Sequence, residues 1–238
     1  MQYKLKKQMV NVVWVSSIIT PLMFSPDWFR RYELMREEDI DNANVNIGNE
    51  RVSTDYGWIE ITCTPTKAVF QLTRSGLESS LSDLTSSILS MFSHAETSAL
   101  GVNTLYIYDF FERVTWNAIG DSLVPKALWN ENNHSKILQD SPSYHYGMAT
   151  LVIAIENSER KKDEIYKETI NVTYAPTQNY EDVKFGIKVQ YNHDISLLEG
   201  KSAVELTQFL SKNISEHISS AVTNDINSHT SMFERILS

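Results

Sequence analysis

Glycine is scarce in this chain: there are 8 in 238 residues, and no two lie closer than 9 positions apart. The dinucleotide-binding fingerprint and the P-loop both need glycines within about six positions, so that backbone amides can approach phosphate. The spacing therefore excludes every glycine-rich phosphate loop. Cysteine is scarcer still, with Cys63 alone. No internal disulfide can form, and an ordinary four-ligand zinc site would need several histidines to complete it. Positive charge is also short, at 21 Lys and Arg against 30 Asp and Glu, which leaves a formal charge of −9. That sign disfavours non-specific attraction to nucleic acid or anionic lipid. Neither half hides a basic surface, since residues 1–98 hold 9 basic and 12 acidic residues and 99–238 hold 12 and 18.

Long apolar runs are missing too, and no window approaches the roughly 18 residues of a membrane-spanning helix. The stretch 9–24 follows Lys4, Lys6 and Lys7 and imitates a leader, but Asn11, Ser16, Ser17, Thr20 and Pro21 interrupt it and no small-x-small cleavage site follows. A reducing cytoplasm is the expected compartment.

What is present is the composition of a globular protein, 42% hydrophobic and 21% charged. Residues 10–19 are rich in Val, Ile and Trp and read as a strand largely buried on both faces. Ser25 before Pro26 reads as an N-cap followed by a first-turn proline, predicting a helix over 26–35. The polar, Asn-rich stretch 36–53 reads as a loop. Segments 58–64 and 67–74 flank Pro65-Thr66 as a hairpin. Ser75-x-x-Glu78 has the pattern of a capping box, and Leu77, Leu81, Leu84, Ile88 and Met91 continue as one helical face to about Phe92.

The second half repeats the order. A strand over 102–111 leads to a helix over 115–123, a turn over 125–130 and a polar loop over 130–143. Strands follow over 147–157, 167–175 and 183–191, with the mixed-charge run 159–164 as a hairpin loop. Ser202-x-x-Glu205 caps a final helix running to about Asn224, and Asn227-Ser228-His229-Thr230 separates it from a frayed last turn. The predicted fold is α+β: antiparallel sheet packed by amphipathic helices, with a pseudo-duplicated β-α-β-β-α unit. Its halves, 1–98 and 99–238, have no linker between them and should form one body.

The residues offer few chemical motifs. Six histidines, at 94, 134, 145, 193, 217 and 229, include no pair at the i, i+4 spacing of a zinc protease. There is no Gly-x-Ser-x-Gly elbow, and Cys63 beside Ile61 on an alternating strand reads as buried and inert. Asp182-Val183-Lys184 has the Asp-x-Lys spacing of metal-dependent nucleases, in which a carboxylate holds the metal and the lysine steadies the attacking water. Its further acidic ligand would have to be Asp163, Glu164 or Glu168, and charged residues on the wet side of a hairpin are the plainer reading. Trp14, Trp28, Trp58, Trp116 and Trp129, with Tyr106, Tyr108, Phe110 and Phe111, could stack bases. With no basic residues interleaved, a core or a protein interface fits them better. Tyr144-His145-Tyr146, before Gly147, and His193 are the binding candidates. The sequence names no metal site and no cofactor.

Several strings taken in order, Phe24-Ser25-Pro26-Asp27-Trp28-Phe29, Ala99-Leu100-Gly101-Val102-Asn103, Trp116, Leu123-Val124-Pro125-Lys126 with Trp129, and Asn192-His193, resemble a loosely defined group of uncharacterised bacterial proteins of about 250 residues. That group has Asn-Asp-His where this chain has Asn192-His193-Asp194. The resemblance implies a bacterial or phage cytosolic protein and transfers no activity and no functional residue. The expected function is non-enzymatic: an interaction or assembly subunit of a multi-component system, phage defence among the candidates, pairing with itself or with a partner protein. The alternatives are a nuclease-type metal enzyme using Asp182 and Lys184, and a single-stranded nucleic-acid binder using exposed aromatics.

Overall fold

Two 14-residue strands, β1 (Tyr3–Ser16) and β6 (Thr97–Phe110), lie side by side and antiparallel, from Tyr3 opposite Phe110 to Ser16 opposite Thr97. A computed structural model of the chain describes residues 2–125, 148–156, 165–177 and 180–238. Outward from β1 on one side come β5 (Lys67–Leu72), β4 (Ile59–Thr64), β3 (Val52–Asp55) and β2 (Asn44–Ile47). Outward from β6 on the other come β9 (Gly186–Leu197), β8 (Tyr166–Thr177) and β7 (Leu151–Glu156). All neighbours are antiparallel, and the nine described strands form one sheet. With five helices among the described residues, α1 (Pro26–Tyr32), α2 (Glu37–Asp41), α3 (Glu78–Met91), α4 (Arg113–Leu123) and α5 (Ala203–Leu237), the fold is α+β. In each half the first strand is central and the later strands are laid inward from the edge.

Strand alternation decides which side of the sheet is covered. Val10, Val12 and Trp14 of β1, Leu100 and Val102 of β6, Ile61 of β4 and Phe70 of β5 form one buried cluster with Phe29 of α1, Ile40 of α2, Leu81 and Ile88 of α3, and Leu210 and Ile214 of α5. Tyr106, Tyr108 and Phe110 of β6 continue that face with Trp116 and Ile119 of α4 and Phe233 of α5. A bulge between Leu5 and Lys7 resets the alternation of β1, so that Tyr3 and Leu5 join this second cluster. Each described helix thus packs on the same face.

The opposite face is half-buried and largely polar. Straight across five adjacent strands run Gln71, Asn11, Asn103, Asn192 and Asn171, each opposite the next in register. Asn103 Nδ2 donates to Asn11 Oδ1 at 2.8 Å. The expectation that β1 is buried on both faces is corrected: Met9, Asn11, Val13 and Val15 are only half-buried, because no described helix crosses their side of the sheet.

Other boundaries differ for local reasons. Ser25 caps α1 as expected, its Oγ accepting from the Trp28 amide at 3.4 Å, but the helix stops at Tyr32 where Glu33 turns left-handed. Residues 36–53, expected as a loop, contain α2, β2 and the first residues of β3. The capping box at Ser75 does not form. Gly76 at φ +84° delays the helix to Glu78, and the Glu78 carboxylate accepts from the Gly76 amide instead. Ser202 does cap α5, accepting from the Glu205 amide at 3.3 Å. That helix then runs unbroken for 35 residues, through the break expected at 227–230. The strands predicted from Gly147 and Val183 begin only at Leu151 and Gly186, and, Pro125 apart, the expected turn over 125–130, loop over 130–143 and hairpin loop over 159–164 lie outside the described residues.

Gly186 is where α4, β6, β8 and β9 meet. Trp116 Nε1 donates to its carbonyl at 3.0 Å, and a Cβ there would lie 2.3 Å from the Thr177 carbonyl oxygen and 2.6 Å from Val183 Cγ1. Neither neighbour can yield without moving the sheet or its turn. Gly186→Ala is expected to cost about 1–3 kcal/mol, read as a lower urea midpoint. An unchanged midpoint would contradict the packing described at this junction.

Candidate functional site

The buried stripe of α5 runs Leu210, Ile214, Ile218, Ala221, Asp225, His229, Phe233, in steps of three or four residues. Two of its members are polar, and the sheet supplies their partners. Asp225 Oδ2 accepts from Thr104 Oγ1 of β6 at 2.5 Å, and both its oxygens lie against His193 Nε2 of β9, at 2.9 and 3.0 Å. On the other side of the ring, His193 Nδ1 is 3.5 Å from Glu168 Oε1 of β8. One turn further along α5, His229 Nε2 is 2.7 Å from the Tyr108 hydroxyl and Nδ1 is 3.3 Å from the Tyr191 hydroxyl.

These partners set opposite charge states for the two histidines. Burial alone would lower His193, but its bonds to Asp225 and Glu168 and their negative charge outweigh it and raise the ring to about 9. His193 is therefore an imidazolium at neutral pH, held between two carboxylates. The same bond from His193 is the main reason Glu168 sits below the usual carboxylate range. His229 faces hydroxyls and rings, and burial outweighs its bond to the Asp225 backbone and pushes it down to about 4, so it stays neutral. Burial likewise lowers His217, with Glu168 opposing.

Beside the cluster, on the helix-covered side, a cavity of about 450 Å³ opens between β7, β8, β9 and α5. Ile155, Tyr166, Glu168, His193, Phe209 and His217 are among its walls, and no lysine or arginine is among the described residues lining it. Its chemistry is acidic and aromatic. With both ring nitrogens occupied by carboxylates and the ring already protonated, His193 is not free to accept a proton from a substrate.

Above the cavity lies β7, the outermost of the described strands on this side. Val152, Ile153 and Ile155 are 59%, 43% and 48% exposed, with the odd residues on the helix side and Val152 on the other. The far edge, β2, also exposes Ile47 at 71%, but it is four residues long and alternates with Asn44 and Asn46.

Of the binding candidates singled out in the sequence, the structure brings His193 into the cluster, and with it Glu168, which the sequence offered only as an acidic companion of Asp182. Asp182 and Lys184 are exposed in the turn before β9, beside Arg113 and Glu181 at a shallow cavity of about 570 Å³. They do not lie on a strand, and Glu168, one proposed companion, is engaged by His193. Asp163, Glu164, Trp129 and Tyr144-His145-Tyr146 lie outside the described residues. No three of His, Cys, Asp and Glu are grouped to hold a metal ion among the described residues. Cys63 is buried, and burial pushes its thiol up to about 12, as its place on an alternating strand suggested. Trp14 and Trp116 are core residues, and Trp28 and Trp58 are half-buried against the core. None of these four is laid out as an open stacking platform. No described helix is long and apolar enough to cross a membrane.

Asp225 and Thr104 were not picked out by sequence reasoning, and Glu168 and His229 were not placed in a common site with His193. The available signal was the i, i+4 spacing of Asp225 and His229 in line with Ile218, Ala221 and Phe233, which places both on the buried stripe.

The two histidines impose opposite pH slopes. A histidine in the unfolded chain titrates near 6.5. His193, raised to about 9 in the folded state, contributes stability that is full below 6.5 and lost as pH rises through 9. His229, lowered to about 4, costs stability as pH falls from 6.5 toward 4. Unfolding free energy is expected to peak near pH 6.5, with each limb falling by about 3 kcal/mol. His193→Gln should flatten the alkaline limb and His229→Gln should make the acid one shallower, with the remainder due to His217, measured by urea unfolding from pH 4 to 10. Wild-type stability that rises steadily from pH 6.5 to 9 would contradict the cluster.

Searched against protein-family models and against curated protein sequences, the chain matches none, and its function is therefore argued from the site itself.

Proposed function

We propose that the protein is a non-enzymatic assembly subunit that binds protein through the β7 edge of its sheet. The observation that carries this reading is the exposure of Val152, Ile153 and Ile155 on an outermost strand. An edge strand presents a row of unpaired backbone amides and carbonyls, and soluble proteins commonly guard it with lysine, proline, a bulge or a covering element. The sequence Leu151-Val152-Ile153-Ala154-Ile155-Glu156 has no lysine or proline, and its pairing to β8 runs without a register shift. Its one charge, Glu156, is already ion-paired with Lys167 of β8. Such a strand is suited to recognition by strand addition, where main-chain bonds give affinity and alternating side chains give specificity.

The state of the other groups favours binding over catalysis. His193 is committed to two carboxylates, Cys63 is buried, and the net charge of −9 opposes nucleic acid. A place in a bacterial or phage multi-component system, phage defence included, rests on the sequence resemblance alone. Size exclusion with light scattering on the untagged chain at tens of micromolar, and native sizing in extract of the cells that make it, test this function. A mass above 27.3 kDa is expected in at least one of them and should be lost in Ile153→Lys, whose exposed position leaves the secondary structure unchanged by far-UV circular dichroism. A mass of 27.3 kDa in both would contradict it.

A further inference from the structure

We infer that the partner at this edge is a second copy of the chain, joined β7 to β7 in antiparallel fashion about a two-fold axis through Ile153. This rests on the assembly function proposed above and names its partner. In an antiparallel pair, directly opposed residues point to the same face, so a two-fold joint must pair odd with odd and even with even. Three registers bring the middle of β7 onto its copy. Centred on Val152, the joint leaves Ile155 opposite Ala149 and spends part of its length outside the strand. Centred on Ala154, it sets Glu156 opposite Val152, a carboxylate against an aliphatic.

Centred on Ile153, every aliphatic of β7 finds an aliphatic. Leu151 lies opposite Ile155, Val152 opposite Ala154, and Ile153 opposite its own copy. Glu156 falls opposite Thr150, so no carboxylates meet at the joint although each chain carries a net charge of −9. The helix-covered faces of both copies stay on one side, because β7 keeps Leu151, Ile153 and Ile155 on that face. Aliphatic pairs of this kind are the usual unit of cross-strand stabilisation. Two nine-stranded sheets would merge into one continuous sheet.

The edge is also chemically clean to test. The single native thiol, Cys63, is buried and held protonated at neutral pH, so an introduced cysteine is the reactive one. Directly opposed residues have Cα atoms about 4.5–5.5 Å apart, inside the roughly 4.4–6.8 Å that a disulfide spans. Offset residues are beyond that reach.

Under mild oxidation, Ile153→Cys is expected to form a disulfide-linked dimer at least tenfold faster than Ile47→Cys, an exposed collision control on the far edge. Val152→Cys alone and Ala154→Cys alone should stay unlinked, while an equal mixture of the two should cross-link. If light scattering shows a mass above 27.3 kDa that Ile153→Lys abolishes, but Ile153→Cys links no faster than Ile47→Cys, the β7-to-β7 self-pairing is overturned while assembly through the β7 edge stands. Linkage of Val152→Cys alone overturns the register. A chain that is monomeric both purified and in cell extract overturns the inference and the function together.

Discussion

Every described helix covers this sheet from the same side, and that constraint shapes the rest of the molecule. A nine-stranded sheet is wide, and each strand beyond the reach of the helices must tolerate water on both faces. In the first half, α1, α2 and α3 lie over β4 and β5 with Phe29, Ile40 and Leu81. In the second half, α5 packs chiefly against β6 and β9, reaches β8 where Phe209 and His217 meet Tyr166, and leaves Ile153 and Ile155 of β7 exposed. The cavity beneath β7 and the exposure of Ile153 and Ile155 on the helix side are both consequences of that shortfall.

The docking of α5 has its own requirement. Its apolar stripe crosses the tyrosine-rich middle of β6 and β9, where Tyr106, Tyr108 and Tyr191 bring buried hydroxyls that need partners. His229 meets two of these hydroxyls, and the Val222 carbonyl accepts from Tyr106 at 3.1 Å. Asp225 and His193 add a charged contact whose removal from one side only would leave the other charge buried, a far larger cost than the pair's net contribution. Charge pairing of this kind fixes where along the sheet the helix can sit, because sliding by one turn would part Asp225 from His193 and Thr104.

Much of this was readable where the determinants are local. Ser25 and Ser202 announce their helices because a hydroxyl at the N-cap satisfies a free amide whatever the rest of the chain does. The β4–β5 hairpin was visible in its alternation about Pro65-Thr66. The Asn-rich β2 was missed because Val45 and Ile47 alternate with asparagine over only four residues, too short a run to stand out from the polar stretch around it before its pairing to β3 is known. The length of α5 was missed because Asn227, Ser228 and Thr230 look like a break, whereas His229 carries the stripe through to Phe233. The row from Gln71 to Asn171 draws its members from five strands, so it exists only once the register of all five is known. His193 was singled out, but Glu168 and Asp225 lie 25 residues before it and 32 after it, and only the fold brings them together.

The open edge and the charged cluster share one wall, since Ile155 of β7 and Glu168 of β8 line the same cavity. Covering β7 would close that side of the cavity as well as pair the strand. Amide hydrogen exchange of residues 149–156 across a dilution series reports on this directly, because inter-strand bonds slow exchange while side-chain contacts alone do not. The expected result is slow exchange at high concentration that accelerates on dilution in step with the fall in mass, with 44–47 of β2 unaffected. Exchange at 149–156 that stays the same while the mass changes would show that assembly uses another surface.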